Sequence, residues 1–365
     1  MRTVGVEEEL LIVDPRTGSP RARAAEVLAE AEESVELAGE LQQQQVETAT
    51  SPHDELTELA ADLTAQRAAA IAAAEDQGTA LVALATSPVF VEPTPSPDRY
   101  RRIIDRLGLP AREQLTCGAH VHVEISSPAE GVAVLDRIRP WLPTLLALSA
   151  NSPFWQETDT GFASYRYEAW GRFPSAGPTE IFGTIEAYRR AVDALLETDA
   201  LLDEGMVYFD ARLSAKFPTV EVRVADVCLH GADAVLLAAL ARALVMTAVR
   251  EWRNGVGPDP VRHELLRIAH WTAARWGLGG DLLDPTTWRP VPAAQVLDRV
   301  LSHAEAALRE AGDWTLVLRL MEELRSRGTG ARWQRQQREA DGDWSGLVRA
   351  AAGLTKQPIV LPVPH

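Results

Sequence analysis

The stretch TCGAHVHVEI, Thr116 to Ile125, places two of the chain's eight histidines and a glutamate at every second position. In an extended strand successive side chains point to opposite faces, so His120, His122 and Glu124 share one face while Ala119, Val121 and Val123 share the other. Three other extended segments repeat this chemistry: Glu7 and Glu9 in GVEEEL, Glu47 in VETAT, and Glu221 with Arg223 in VEVRVAD. If these strands are neighbours, one sheet face gathers carboxylates and imidazoles. Left unpaired, such a cluster opposes folding. Divalent cations would neutralise it, and hard oxygen ligands point to Mg²⁺ or Mn²⁺. The competing reading is the solvated face of a half-exposed sheet, where Glu and Arg alternate with Val for solubility. It suits any one strand, and four strands together weigh against it.

The elements that must position these residues follow from periodicity and turn signals. Val4 to Val13 reads as a strand closed by DPRTGSP, and a helix is expected from about Ala22 to Ala38, ending at Gly39. LQQQQVETAT looks extended, and an alanine-rich helix follows from about Asp54 to Asp76. TALVALATSP reads as a buried strand, and a short helix lies near Asp98 to Leu107. Gly131 to Ser149 has helical period, with Pro140 and Pro143 expected to kink or split it. The polar, aromatic stretch Asn151 to Pro178 lacks periodicity and reads as a long functional loop. A helix from Thr184 to Leu202 precedes two strand candidates, MVYFDARLS and TVEVRVADV. The remainder reads as helices over about Gly231–Arg253, Pro260–Trp276, Ala293–Ala311, Trp314–Arg325 and Ala331–Ala350. Strands that cluster in the first two thirds without regular βα alternation predict an α+β fold with a mainly antiparallel sheet flanked by helices.

Composition narrows the function classes. With 365 residues, 46% hydrophobic and 24% charged, the chain has the make-up of an ordinary soluble globular protein. A net charge of −16 without a basic stripe argues against nucleic acid as a partner. Lys216 and Lys356 are the only lysines, so phosphate handling falls to arginine and metal. Two cysteines, Cys117 and Cys228, are too few for a disulfide framework and imply a reducing compartment. The N-terminal MRTVGVEEELLIVD is too acidic for an export signal. The apolar run from Gly231 contains Asp233 and Arg242, which are costly in lipid, so it reads as a buried helix. The expected location is cytoplasmic. The chain has no phosphate loop, G-x-S-x-G elbow, C-x-x-C pair or H-E-x-x-H helix, and GLGG at Gly277 lacks the third glycine of a dinucleotide fingerprint.

Taken in order, the blocks GVEEELLIVD, VETATSP, CGAHVHV, ALSANSPFW, DTGFASYR, AGPTEIFGT, VEVRVAD and AARWGL resemble the glutamate–cysteine ligase type 2 family, carboxylate–amine ligases with a glutamine-synthetase-like catalytic fold. The resemblance spans nearly the whole chain and implies a single catalytic domain over residues 1–365, mostly helical from about residue 230. It implies an ATP-dependent ligase that joins the γ-carboxylate of glutamate to an amine, usually cysteine, through an acyl phosphate, with Mg²⁺ or Mn²⁺. Arginine and metal would stabilise the transferring phosphoryl group. By resemblance Glu7, Glu9, Glu47, His120 and Glu221 form the metal and nucleotide shell, His122 is a further member, and Arg223 meets phosphate. Arg166, in SYRYEAW, is read as a clamp for a substrate carboxylate. A homodimer is the family-level expectation.

Three departures from the family pattern bear on the acceptor. Glu124 stands where glycine is usual and is expected to add a carboxylate on the histidine side; Ser87 replaces a histidine; and LQQQQVE is unusually polar. A ligase using a non-cysteine amine is the nearest alternative. A metal-dependent amidohydrolase also uses H-x-H on a strand, but it requires regular βα alternation around a barrel. A non-catalytic nucleotide- or metal-binding protein on a decayed ligase site is the third reading.

Overall fold

Alternation in the strands and apolar period in the helices build a sheet with one polar and one dry face. The computed structural model describes residues 1–31, 36–96 and 99–362. Strands β1 (Val4–Val13), β2 (Leu37–Gly39), β3 (Gln45–Ala49), β4 (Ala80–Val82) and β5 (Gly118–Glu124) come from the first third of the chain. Residues Phe154–Trp155 (β6) and Thr158–Asp159 (β7) form a two-strand ribbon. After β8 (Ala211–Leu213) and β9 (Thr219–Asp226), a second ribbon pairs β10 (Asp281–Leu283) with β11 (Pro290–Pro292). The main sheet runs β2-β3-β1-β5-β9-β8, with β4 beside the end of β1, and its pairs are antiparallel. This is the predicted α+β class, and among the described residues the strands pair antiparallel, not as the parallel barrel an amidohydrolase of the H-x-H type requires.

The helices are α1 (Ala24–Glu30), α2 (Leu56–Asp76), α3 (Arg99–Leu107), α4 (Leu109–Glu113), α5 (Pro128–Ile138), α6 (Leu142–Ser149), α7 (Tyr165–Trp170) and α8 (Ile185–Glu197), then α9 (Gly231–Arg253), α10 (His263–Trp276), α11 (Ala293–Glu310), α12 (Trp314–Arg327), α13 (Gly330–Asp341) and α14 (Trp344–Thr355). The dry face of β1 and β5 packs on α9, which α2, α5, α11 and α12 surround. Every residue of α9 from Ala234 to Val245 is buried. Its two charges are satisfied inside the protein: Arg242 bonds Asp313 at 2.6 Å and Arg327 bonds Asp233 at 2.6 Å. The helix is long and apolar enough to cross a membrane, yet its surface is occupied by neighbouring elements.

Several boundaries differ from expectation. The helix predicted over Ala22–Ala38 is only α1, and its end becomes the edge strand β2; residues 32–35 lie outside the described part. No basic residue stands in the last turn of α1 to offset the helix dipole. The helix expected over Ala331–Ala350 is two, broken at Gly342, whose φ of 63° is left-handed. Asp343 then caps α14 by accepting from the Ser345 and Gly346 N–H groups. At Pro140 and Pro143 the predicted split occurs as a 3₁₀ turn over Arg139–Trp141 between α5 and α6. The long segment after Asn151 is pinned by Asp226, which accepts from the Asn151 N–H and from the hydroxyls of Ser152 and Ser164 at 2.7–2.8 Å.

Candidate active site

Register brings the four acidic segments together. Across β1 and β5 Glu7 lies opposite His120, across β1 and β3 Glu9 lies opposite Glu47, and across β5 and β9 His122 lies opposite Glu221. Between Ala119 and Val121 the β5–β9 register shifts, so β9 takes three steps to two on β5. The bulge holds Arg223, which lines the same cavity as Glu221. The cavity has a volume of about 700 Å³ and takes in Glu7, Glu9, Glu47, His120, His122, Glu221 and Arg223.

Within it, His120 Nδ1 lies 3.1 Å from Glu7 Oε2, and His122 Nε2 lies 3.1 Å from Glu7 Oε1. Burial opposes ionisation of Glu7, but hydrogen bonds and charge from the two histidines hold it well below the usual carboxylate range. Burial and the nearby Arg223 push His120 down, which favours a neutral ring. In the tautomer that donates from Nδ1 to Glu7, its Nε2 keeps a lone pair for a ligand, and that buried nitrogen has no hydrogen-bond partner. Glu9 accepts the Gly118 N–H at 2.6 Å. Arg212 grips Glu221 through Nε at 2.8 Å and Nη2 at 3.2 Å, and Arg223 bonds the same carboxylate. Although burial works against its charge, Glu221, Glu9 and Glu7 keep Arg223 firmly protonated. Burial alone would raise Glu221, but Arg223 and Arg212 hold it low.

Glu40, which sequence reasoning missed, completes the acidic floor. It follows β2 and lines the cavity, where burial and then repulsion from Glu9 push its carboxyl up to about 8. It shares a hydrogen bond with Glu47. Burial and the charges of Glu40, Glu7 and Glu9 also raise Glu47 well above its ordinary value. The resulting donor groups are Glu7, Glu47 and His120; Glu7, His122 and Glu221; and Glu9, Glu40 and Glu47, each with ligand atoms within 4.8 Å of one another. These carboxylates and imidazoles, with an orphaned His120 Nε2 and protons retained on crowded acids, fit a hard divalent cation.

Two expected residues lie elsewhere. Arg166 is 2% exposed and does not line the cavity; its guanidinium packs over Gly118 beneath β9 and reaches the Arg223 and Val224 carbonyls at 3.3 and 3.4 Å. The loop carrying it is pulled under the sheet by Asp226, so Arg166 supports the floor instead of clamping a ligand from above. Glu124, the last residue of β5, stands past the final β1–β5 pair, Val4 with Val123. Its carboxylate accepts the Thr3 N–H at 3.1 Å and is exposed, so the extra acid expected among the histidines is outside the cavity. Ser87 is also buried away from it, donating to the Val89 carbonyl. Sequence reasoning also missed the walls: Arg99, Tyr100, Gln114, Trp170, Phe173, Tyr208, Arg212, Lys216 and Phe217. Most sit on loops or short helices without period, although Arg212 shares the alternation of DARLS.

Comparison with known proteins decides the family. The sequence profile described as glutamate–cysteine ligase family 2 matches residues 3–352. The chain belongs to that family. It is 52% identical over 361 residues, 98% of this chain and 100% of the relative, to the provisionally named glutamate–cysteine ligase 2-1 of Streptomyces avermitilis. It is 51% identical to a counterpart in Streptomyces coelicolor, covering 98% of this chain and 99% of that one. Family membership makes it an enzyme, a carboxylate–amine ligase. Among solved structures, the glutamate–cysteine ligase of Francisella tularensis in complex with AMP superposes with a TM-score of 0.69 at 13% identity, over 97% of this chain and 88% of that one. A bifunctional glutathione synthetase from Pasteurella multocida gives 0.71 at 15% identity, and this chain spans 52% of its length. At such identities the shared property is the ligase fold.

Proposed function

We propose that the enzyme is an ATP-dependent carboxylate–amine ligase that joins the γ-carboxylate of glutamate to an amine, with cysteine the reference acceptor of the family. The observation that supports this most strongly is the acidic floor. Seven carboxylates, Glu7, Glu9, Glu40, Glu47, Asp203, Glu204 and Glu221, line one cavity with four basic groups, Arg99, Arg212, Arg223 and Lys216. The imbalance suits a substrate that arrives with divalent cations, as a nucleoside triphosphate does.

Glu7, Glu9, Glu47, His120 and Glu221, with His122 and Glu40, would hold Mg²⁺ or Mn²⁺. Such a cation, when bound, screens phosphate charge and polarises the transferring phosphoryl oxygens. Arg223 offers a fixed positive charge to the same oxygens, because its position in the β9 bulge is braced by Glu221. The floor also keeps the nucleophile oriented: two anions, a carboxylate and a triphosphate, must approach despite repulsion, and a site of preset charge lowers that cost. In the first step a glutamate γ-oxygen bonds to the γ-phosphorus and ADP leaves. In the second the nitrogen of the free amine bonds to the acyl carbon, the carbon–oxygen bond to phosphate breaks, and the nitrogen gives up one proton while keeping the amide N–H.

The test is incubation with ATP, Mg²⁺, glutamate and a panel of amines, following ADP by coupled assay and products by mass spectrometry. Release of ADP and phosphate that depends on both glutamate and an amine is the expected result. ATP hydrolysis indifferent to both would rule the reading out.

A further inference from the structure

We propose that Lys216, on the turn between β8 and β9, binds the α-carboxylate of the donor amino acid and thereby sets the enzyme's preference for that donor. This rests on the ligase reading above.

Glutamate brings two carboxylates to the site, and the reaction uses only one. The γ-carboxylate is activated over the acidic floor, while the α-carboxylate must enter a cavity that seven acidic side chains already line. Without a cation beside it, that group meets the same desolvation and repulsion that push up Glu40 and Glu47. Four basic side chains line the cavity: Arg99, Arg212, Arg223 and Lys216.

Three of them are engaged by the protein itself. Arg99 holds Asp203 with two hydrogen bonds of 2.7 and 3.0 Å, and its guanidinium lies 5.6 Å from the centre of the Tyr100 ring. Arg212 grips Glu221 and also donates to the Gly205 and Val207 carbonyls at 3.2 and 3.0 Å. Arg223 is bonded to Glu221 and meets the phosphoryl oxygens in the reading above; it and Arg166 lie 6.0 and 5.9 Å from the centre of the Trp170 ring. The aromatic end of the cavity therefore already has the chain's own cations on its rings. Lys216 differs: its amine enters no ion pair or hydrogen bond among the described residues. The chain's other lysine, Lys356, pairs with Glu75 at 2.8 Å. In a protein with 52 acidic residues, a cavity-lining amine without an acid partner is positioned for an anion that comes from outside.

The turn fixes the backbone of Lys216 and leaves its side chain free. Ser214 Oγ accepts the N–H groups of Lys216 and Phe217 at 3.3 and 3.2 Å, and the Ser214 N–H donates to the Thr219 carbonyl at 3.0 Å. Thr219 Oγ1 lies 2.9 Å from His122 Nδ1, and the Phe217 ring stands edge-on to the same histidine at 6.0 Å. Because His122 forms a donor group with Glu7 and Glu221, the turn is tied to the floor where the γ-carboxylate reacts. A point charge on a flexible four-carbon stem suits a carboxylate that arrives and departs with every turnover.

The test compares glutamate with isoglutamine, in which the α-carboxylate is an amide and the γ-carboxylate is intact, using the whole enzyme, ATP, Mg²⁺ and the best amine of the panel. Isoglutamine is followed as a donor and, where turnover is too slow, as a competitive inhibitor against glutamate. Lys216→Met, an exposed position whose side chain makes no hydrogen bond in the turn, should raise KM for glutamate at least about fivefold. It should leave KM for ATP and the constants for isoglutamine within about twofold, and Lys216→Arg, which keeps the charge, should recover most of the loss. Equal losses for glutamate and isoglutamine, a rise in KM for ATP alone, or unchanged glutamate kinetics would overturn the proposal and leave the ligase reading standing. A loss confined to cysteine relative to 2-aminoethanethiol would also overturn it, by moving the carboxylate to the acceptor. If no amine elicits ADP release from the parent enzyme, the ligase reading falls and takes the proposal with it.

Discussion

Glu7, Glu8 and Glu9 are consecutive on β1 and meet opposite environments. Glu8 points to the dry face, fully buried, where Arg67 of α2 grips it through Nε at 2.6 Å and Nη2 at 2.7 Å. Arg67 also donates to the Cys228 carbonyl at 2.8 Å, so this charge is satisfied by the fold itself. Glu7 and Glu9 point to the cavity and have histidines and a backbone N–H in place of a bidentate arginine. One face is complete without a ligand; the other holds surplus negative charge that a ligand must balance. Alternation along a strand separates a structural carboxylate from two functional ones only a residue away.

The contrast breaks first on the structural side. Arg67→Met should leave Glu8 buried and unpaired and destabilise the protein by about 3–5 kcal/mol, read by urea unfolding. The double variant Glu8→Leu with Arg67→Met should recover much of that loss, since no charge is then stranded. Full destabilisation in the double variant would show that the pair contributes packing beyond its charge.

On the cavity side the effects should reverse. Glu9→Gln is expected to lower kcat by about 10²–10³-fold, the range seen when preset transition-state electrostatics are removed. Its Tm without metal should match or exceed the parent's, because one member of a repelling group is gone. A Tm loss comparable to that of Arg67→Met would erase the distinction between the faces.

Glu40 sharpens it through pH. Its folded carboxyl titrates at about 8, above the ordinary 4.5, chiefly through burial. Between those values the folded chain holds a proton that the unfolded chain has released, so this group's stabilisation is lost as pH rises toward 8. Metal-free Tm should therefore fall across that window, and Glu40→Gln should flatten the fall. Added Mg²⁺ or Mn²⁺ should do the same in the parent.

The smallest effect belongs to Glu124. Because its carboxylate bonds Thr3 outside the cavity, Glu124→Gly should change acceptor kcat/KM by less than about twofold, in keeping with surface substitutions. A marked switch of acceptor would place it back in the site.

Much of this was legible in the sequence. Glu7, Glu9, Glu47, His120, His122, Glu221 and Arg223 all belong to alternating segments, and period 2 alone predicts that each set shares a face. Their assembly required only that the strands be neighbours. Glu40 was hidden because an acidic, alanine-containing stretch has helical character, whereas the chain uses its end as an edge strand. Arg166 was misread for a different reason: a motif fixes its identity but not which side of β9 its loop returns to. That side is set by Asp226, a contact 60 residues away along the chain. The aromatic wall was invisible because Trp170, Phe173 and Tyr208 meet only through tertiary packing.

The central claim is that the cavity activates a glutamate carboxylate as an acyl phosphate. It is tested most directly with glutamate carrying ¹⁸O in its γ-carboxylate, turned over with ATP, Mg²⁺ and the best acceptor found. The account predicts that one ¹⁸O per product formed appears in inorganic phosphate by mass spectrometry. Amide formation with unlabelled phosphate would contradict it.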